Sequence, residues 1–175
     1  MILGYLKKNL LRGFRISPFR IPLRGLIPVP IYIGASLAVG FAAGLFSPGV
    51  VDSPLLFVLP FSLFIFPCLL EEAFFRGVLI PNDAASRSKG KIIAYIVLST
   101  MAFVLWHPAN ALTINPPAAP LFLNPAFLLI VAFLGITCSI SYIVSRSLWV
   151  PIIIHWLTVV VWVIFLGGRN KLLEL

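Results

Sequence analysis

Long apolar runs separated by short polar breaks occupy almost the whole chain. A membrane-spanning helix needs about 20 mostly apolar residues, and five stretches have that character: 27–46, 54–81, 91–107, 124–144 and 148–166. The first, IPVPIYIGASLAVGFAAGLF, is rich in Gly and Ala and suited to close helix packing. The second begins PLLFVLPFSLFIFPCLL and continues through charged residues, with Pro60 and Pro67 expected to bend it. The fifth, LWVPIIIHWLTVVVWVIFL, places Pro151 in its first turn, where a missing N–H costs little. No internal repeat is visible. The loop PANALTINPPAAPLFLN, before the fourth stretch, is expected to be irregular and interfacial. The pattern predicts an all-α polytopic membrane protein, a bundle of about five transmembrane helices.

Composition agrees. The 175 residues are 61% hydrophobic and 10% charged, with a mean hydropathy of +1.09. Soluble domains carry roughly 25% charged residues. A single transmembrane domain is expected over 27–175, with its core at 55–165, behind a basic arm at 1–26. The net charge of +8 is uneven. Lys7, Lys8, Arg12, Arg15, Arg20 and Arg24 all precede the first long apolar run, and no uninterrupted apolar stretch ahead of a cleavage site marks a secretory signal.

Basic loops mark the cytoplasmic side. With the N-terminus cytoplasmic, the arm, the loop holding Arg87, Lys89 and Lys91, and the loop holding Arg146 all fall inside. Only Arg169 and Lys171 fall on the other side. Leu3, Leu6, Leu10 and Phe14 can form one face of a short interfacial helix whose basic residues meet anionic lipid headgroups. The plainer reading is a topology signal and a solvated arm. No aromatic-basic platform follows, so no nucleic-acid partner is expected. Cys68 and Cys138 lack metal-ligand spacing and are expected to pack. Trp106, Trp149, Trp156 and Trp162 are expected to anchor and pack rather than to serve the site.

Ionisable groups in spanning helices are costly and mark function by default. Here they are Glu71, Glu72, Arg76, His107 and His155, and both histidines of the chain are among them. Glu72 and Arg76 are four apart and can pair on one helix face. Glu71 points about 100° away and is left free to accept or donate a proton. His107, followed by Pro108, has a plainer reading as an interfacial residue at a helix end. Counted from the inner helix ends, Glu71 stands about 15 Å, His107 about 24 Å and His155 about 10 Å into the membrane. Tilt and side-chain reach must close that spread. Two chemistries fit the set. One is water activated by glutamate with histidine assistance. The other is a metal site with two His and one Glu ligand and an open position for water. There is no HExxH motif.

Three motifs occur in order: EEAFFR at 71–76 matches EExxxR, FVLWH at 103–107 matches FxxxH, and HWLTV at 155–159 matches the first half of HxxxN/D. Across residues 55–165 the chain resembles the CPBP family of CAAX-type prenyl endopeptidases and bacteriocin-processing enzymes, also labelled Abi. The resemblance implies an intramembrane glutamic endopeptidase acting on a membrane-associated peptide or protein, in a bacterial-type inner membrane or its equivalent. Glu71 would activate water, His107 would position it, and His155 would stabilise the oxyanion. Glu72, Arg76 and Phe103 would support the site. No cofactor is implied, with zinc on Glu71, His107 and His155 as the alternative. The pattern breaks at Val159, where the family commonly has Asn or Asp. Thr158 lies on a different helical face and is expected to substitute poorly, so either the reaction tolerates the loss, or another group such as Asn110 contributes, or the protein is a weak or inactive member. The contrasting reading is a non-catalytic membrane protein: a scaffold, an immunity factor or a proton-coupled carrier.

Overall fold

The computed structural model describes residues 2–20 and 22–168. Arg169 and Lys171 lie outside the described residues, as do the side chains of Leu3 and Arg20. The helices are α1 (Ile2–Arg15), α2 (Pro28–Ala42), α3 (Leu59–Leu63), α4 (Leu70–Phe75), α5 (Lys89–Thr113), α6 (Ala119–Phe122), α7 (Pro125–Ser145) and α8 (Trp149–Phe165). There is no strand among the described residues. Leu23–Ala42, Lys89–Thr113 and Pro125–Ser145 are long and apolar enough to cross a membrane, and α8 is a shorter apolar helix. Large apolar side chains such as Phe57, Phe61, Leu105 and Leu112 point outward. An apolar exterior of this extent suits acyl chains rather than water.

The second expected span, 54–81, is not one helix. Pro67 removes a backbone donor, and the wide turn Phe64–Leu69 contains Phe66 in an extended conformation (φ −133°, ψ 118°). The chain therefore divides into α3 and α4, with the glutamates in the first turn of α4. By contrast, α5 does not stop at His107. Pro108 is carried inside it, and the helix runs to Thr113. His107 is thus buried within the helix, not at its end. Part of the loop expected to be irregular is helical, in the last turn of α5 and in α6.

The central helix is α7, which meets α2, α5 and α8. Asn124 caps it, accepting hydrogen bonds from the Ala126 and Phe127 amides at 2.9 and 3.3 Å. Leu134, Cys138 and Tyr142 lie buried along its length. Gly135 lets α5 approach closely, since a Cβ there would stand 3.0 Å from the Thr100 methyl. Both cysteines are buried and free, as packing residues are.

The N-terminal arm is not a solvated tail. Leu10 and Phe14 of α1 pack against the cluster of Ile80, Tyr142, Leu148 and Ile152. The approach needs Gly77, where a Cβ would stand 2.5 Å from the Ala73 carbonyl oxygen and 2.5 Å from Leu10 Cδ1. Gly77→Ala is therefore expected to overpack this contact, at a cost of about 1–3 kcal/mol. The check is a lower thermal unfolding midpoint in detergent, while Gly90→Ala, on α5 in open space, is expected not to lower it.

Candidate active site

The short helix α4 presents Glu71 and Glu72 about 100° apart, so the two carboxylates serve different partners. Glu72 is fully buried. Its Oε1 accepts from Arg76 Nη1 at 2.9 Å, the pair expected from the four-residue spacing. The same oxygen stands 2.9 Å from His155 Nδ1 on α8, a second partner that spacing within one helix could not reveal. Arg76 is also fully buried, donates from Nη2 to the Gly135 carbonyl of α7 at 3.1 Å, and lies 4.5 Å from the centre of the Phe103 ring of α5. One ion pair thus engages α4, α5, α7 and α8.

Glu71 faces elsewhere. Its Oε1 accepts from the Trp106 indole N–H at 3.0 Å, and its Oε2 is buried without a hydrogen-bond partner. His155 Nε2 stands 4.0 Å from that oxygen. Trp106 therefore belongs to the site. Its only signal in the sequence was adjacency to His107, and packing was the expectation. His107 Nδ1 lies 3.0 Å from the Phe103 carbonyl. An imidazole nitrogen facing a carbonyl oxygen must be the N–H donor, which leaves Nε2 with its lone pair. His155 is held likewise, with Nδ1 on the Glu72 carboxylate and Nε2 on the side of Glu71. Both rings are thus oriented by a partner behind them. Phe103 stands between them, with its ring centre 5.1 Å from that of His107 and 5.6 Å from that of His155.

These groups share a cavity of about 700 Å³, with Glu71, Trp106, His107, Asn110, His155 and Thr158 in its wall. The uneven depths counted from sequence are reconciled by the ends of the helices. The helical chain from Glu71 stops at Phe75, and the Phe75 carbonyl accepts from Ser99 Oγ at 2.8 Å. The start of α5 therefore lies well below the end of α4, and Trp106 comes level with Glu71. Most of the remaining wall is apolar, and Phe66 and Ile33 line it while remaining half exposed on the outer surface.

Val159 also borders the cavity, and packs against the cluster of Leu59, Leu63 and Val163. Thr158 does not lie on a different face from the site: three residues after His155, it borders the same cavity. Its hydroxyl is spent on the Ile154 carbonyl at 2.9 Å, which is why it makes a poor donor. Asn110 is buried, and its Oδ1 has no partner. No group of three or more His, Cys, Asp or Glu side chains is arranged to hold a metal ion among the described residues.

A family model described as Type II CAAX prenyl endopeptidase Rce1-like matches residues 53–161, which include α3, α4, α5, α7 and most of α8. No curated protein and no solved structure matches the chain.

The shared carboxylate predicts an asymmetric mutational response. Arg76→Met removes the guanidinium from a fully buried pair and is expected to cost about 3–5 kcal/mol. Adding Glu72→Gln removes the stranded charge and is expected to restore part of that loss. Thermal unfolding of both variants in detergent, read as a double-mutant cycle, is the check.

Proposed function

Because the chain belongs to the Type II CAAX prenyl endopeptidase Rce1-like family, we propose that this multi-pass membrane protein hydrolyses a peptide bond with water activated by Glu71. The observation that carries the reading is Glu71, which borders a cavity shared with two imidazoles whose Nδ1 atoms are already engaged, and whose buried Oε2 has no hydrogen-bond partner. Glu71 Oε2 takes a proton from water, and the hydroxide adds to the scissile carbonyl carbon. His107 Nε2 accepts the other hydrogen of that water and fixes its direction of attack. The carbonyl oxygen becomes an oxyanion and takes a hydrogen bond from His155 when Nε2 carries a proton. Glu71 then returns its proton to the leaving amine as the C–N bond breaks, yielding a carboxylic acid and an amine. The Trp106 N–H keeps the carboxylate turned so that Oε2, not Oε1, meets the water. The substrate in this reading is a membrane-associated peptide or protein tail, prenylated or not, and the location is a bacterial-type inner membrane or its equivalent.

With Val159 in the last motif, Asn110 is the side chain in this reading that supplies the second oxyanion donor. It lies one turn beyond His107 on the same helix and borders the same cavity, where its Nδ2 amide is the donor. The second reading is a non-catalytic membrane protein, and the apolar Val159 is the observation that favours it.

Cleavage of a peptide library by detergent-solubilised protein separates the two. The peptidase reading expects measurable turnover, with most of it lost in Glu71→Gln, His107→Ala and His155→Ala. Folded variants that match wild type, or an inert wild type, would favour the non-catalytic reading. Asn110→Ala is expected to lower the rate about 10²–10³-fold, the typical loss for one oxyanion donor, with KM little changed. A chelator in the same assay tests the mechanism. Loss of activity that zinc restores would replace glutamate-activated water with a metal held by Glu71, His107 and His155.

A further inference from the structure

The buried face of α1 reaches the two helices that carry the candidate catalytic groups. Asn9 is buried, and its carboxamide is used fully in one direction. Nδ2 donates to the Gly77 carbonyl at 2.8 Å and to the Ile80 carbonyl at 3.0 Å, and Oδ1 accepts from the Asn82 amide at 2.7 Å. Gly77, Ile80 and Asn82 belong to the turn that follows α4, directly after Arg76. Farther along α1, the Gly13 carbonyl accepts from the Leu148 amide at 3.0 Å, and the Phe14 carbonyl accepts from the Trp149 indole at 2.9 Å. Leu148 and Trp149 begin α8, which carries His155. One amphipathic helix therefore ties the end of α4 to the start of α8, and these are the two elements that meet at Glu72.

The outer face of α1 is a different surface. Lys7, Lys8, Arg12 and Arg15 are all exposed and, with Gly4 and Leu11, line a shallow groove of about 390 Å³. They form no ion pair with an acidic side chain among the described residues. Four unneutralised cations at helical spacing repel one another. Phe19, 95% exposed, and the exposed Leu23 follow on the adjoining turns. Cations on one face with apolar side chains beside them suit a charged bilayer surface. A helix of 14 residues is marginal on its own, so its seating depends on what holds it from either side.

We propose that α1 is a strap seated by anionic lipid headgroups. Headgroups bound by Lys7, Lys8, Arg12 and Arg15 hold it against the bundle, and Asn9 passes that seating to the turn behind α4. Asn9 is a positioning residue that touches no substrate, and its link to turnover rests on the peptidase reading above. Because headgroups bind the seated helix better than the detached one, an anionic leaflet shifts the population toward the seated form.

The test uses full-length protein in phosphatidylcholine vesicles with or without phosphatidylglycerol. Two readouts are taken: amide hydrogen exchange over 77–82, and kcat and KM for a cleaved peptide. Phosphatidylglycerol is expected to slow exchange over 77–82 and to raise kcat, and added salt is expected to weaken both effects. The variant carrying Lys7→Gln, Lys8→Gln, Arg12→Gln and Arg15→Gln is expected to show neither response. Asn9→Leu is expected to lose exchange protection over 77–82 and up to about 10²-fold in kcat, with KM unchanged. A full lipid response in the quadruple variant, or wild-type exchange and kcat in Asn9→Leu, would overturn the proposal. Should no lipid composition yield cleavage, exchange alone decides. A lipid response over 77–82 that the quadruple variant lacks would then uphold the strap while the peptidase reading fails.

Discussion

The architecture depends on one buried carboxylate oxygen. Glu72 Oε1 is 2.9 Å from Arg76 Nη1 and 2.9 Å from His155 Nδ1, in an interior that excludes water. A lone charge there would be severely penalised, so each partner obliges the others to stay. Arg76 extends the constraint to the Gly135 carbonyl and the face of Phe103. Helix association in lipid has little hydrophobic driving force of its own. In this bundle, directional polar contacts and the close approach at Gly135 fix the relative position of four helices, and apolar packing fills around them.

The same constraint prepares the site. Because Glu72 meets the charge of Arg76, Glu71 is free of cationic partners on its own helix. Because Glu72 engages His155 Nδ1, the opposite nitrogen of that ring is turned toward Glu71. His107 is prepared independently by the Phe103 carbonyl, from within its own helix. The two imidazoles are therefore oriented by different means, each with Nδ1 engaged. One depends on tertiary structure and the other on a single turn of α5.

Local rules revealed part of this arrangement. The apolar runs located α2, α5, α7 and α8, and the four-residue spacing identified the Glu72–Arg76 pair. The five intramembrane ionisable residues stood out as candidates, because their expense in lipid is a property of single positions. What sequence left hidden was relational. The Glu72–His155 contact spans 83 residues, and the indole bond to Glu71 joins helices separated by a loop. The full length of α5 is hidden in sequence because a proline normally ends a helix, whereas here Pro108 is retained inside it. Thr158 and Val159 point about 100° apart on α8, yet both border the cavity. The charges of the arm are conspicuous in sequence, while Asn9, which fastens it, is an ordinary amide whose three partners appear only in the fold.

The broken second segment has a further consequence. At Phe66 the backbone leaves the helix, and this side chain borders the cavity while remaining 56% exposed on the outer surface. Ile33 of α2 does the same. A path past these two side chains into the hollow therefore runs through the apolar wall of the bundle. Anything entering by that route arrives sideways through acyl chains, after a search confined to two dimensions. Encounter frequency then scales with molecules per unit area of bilayer, and a ligand's partitioning into lipid counts before any contact with the protein is made.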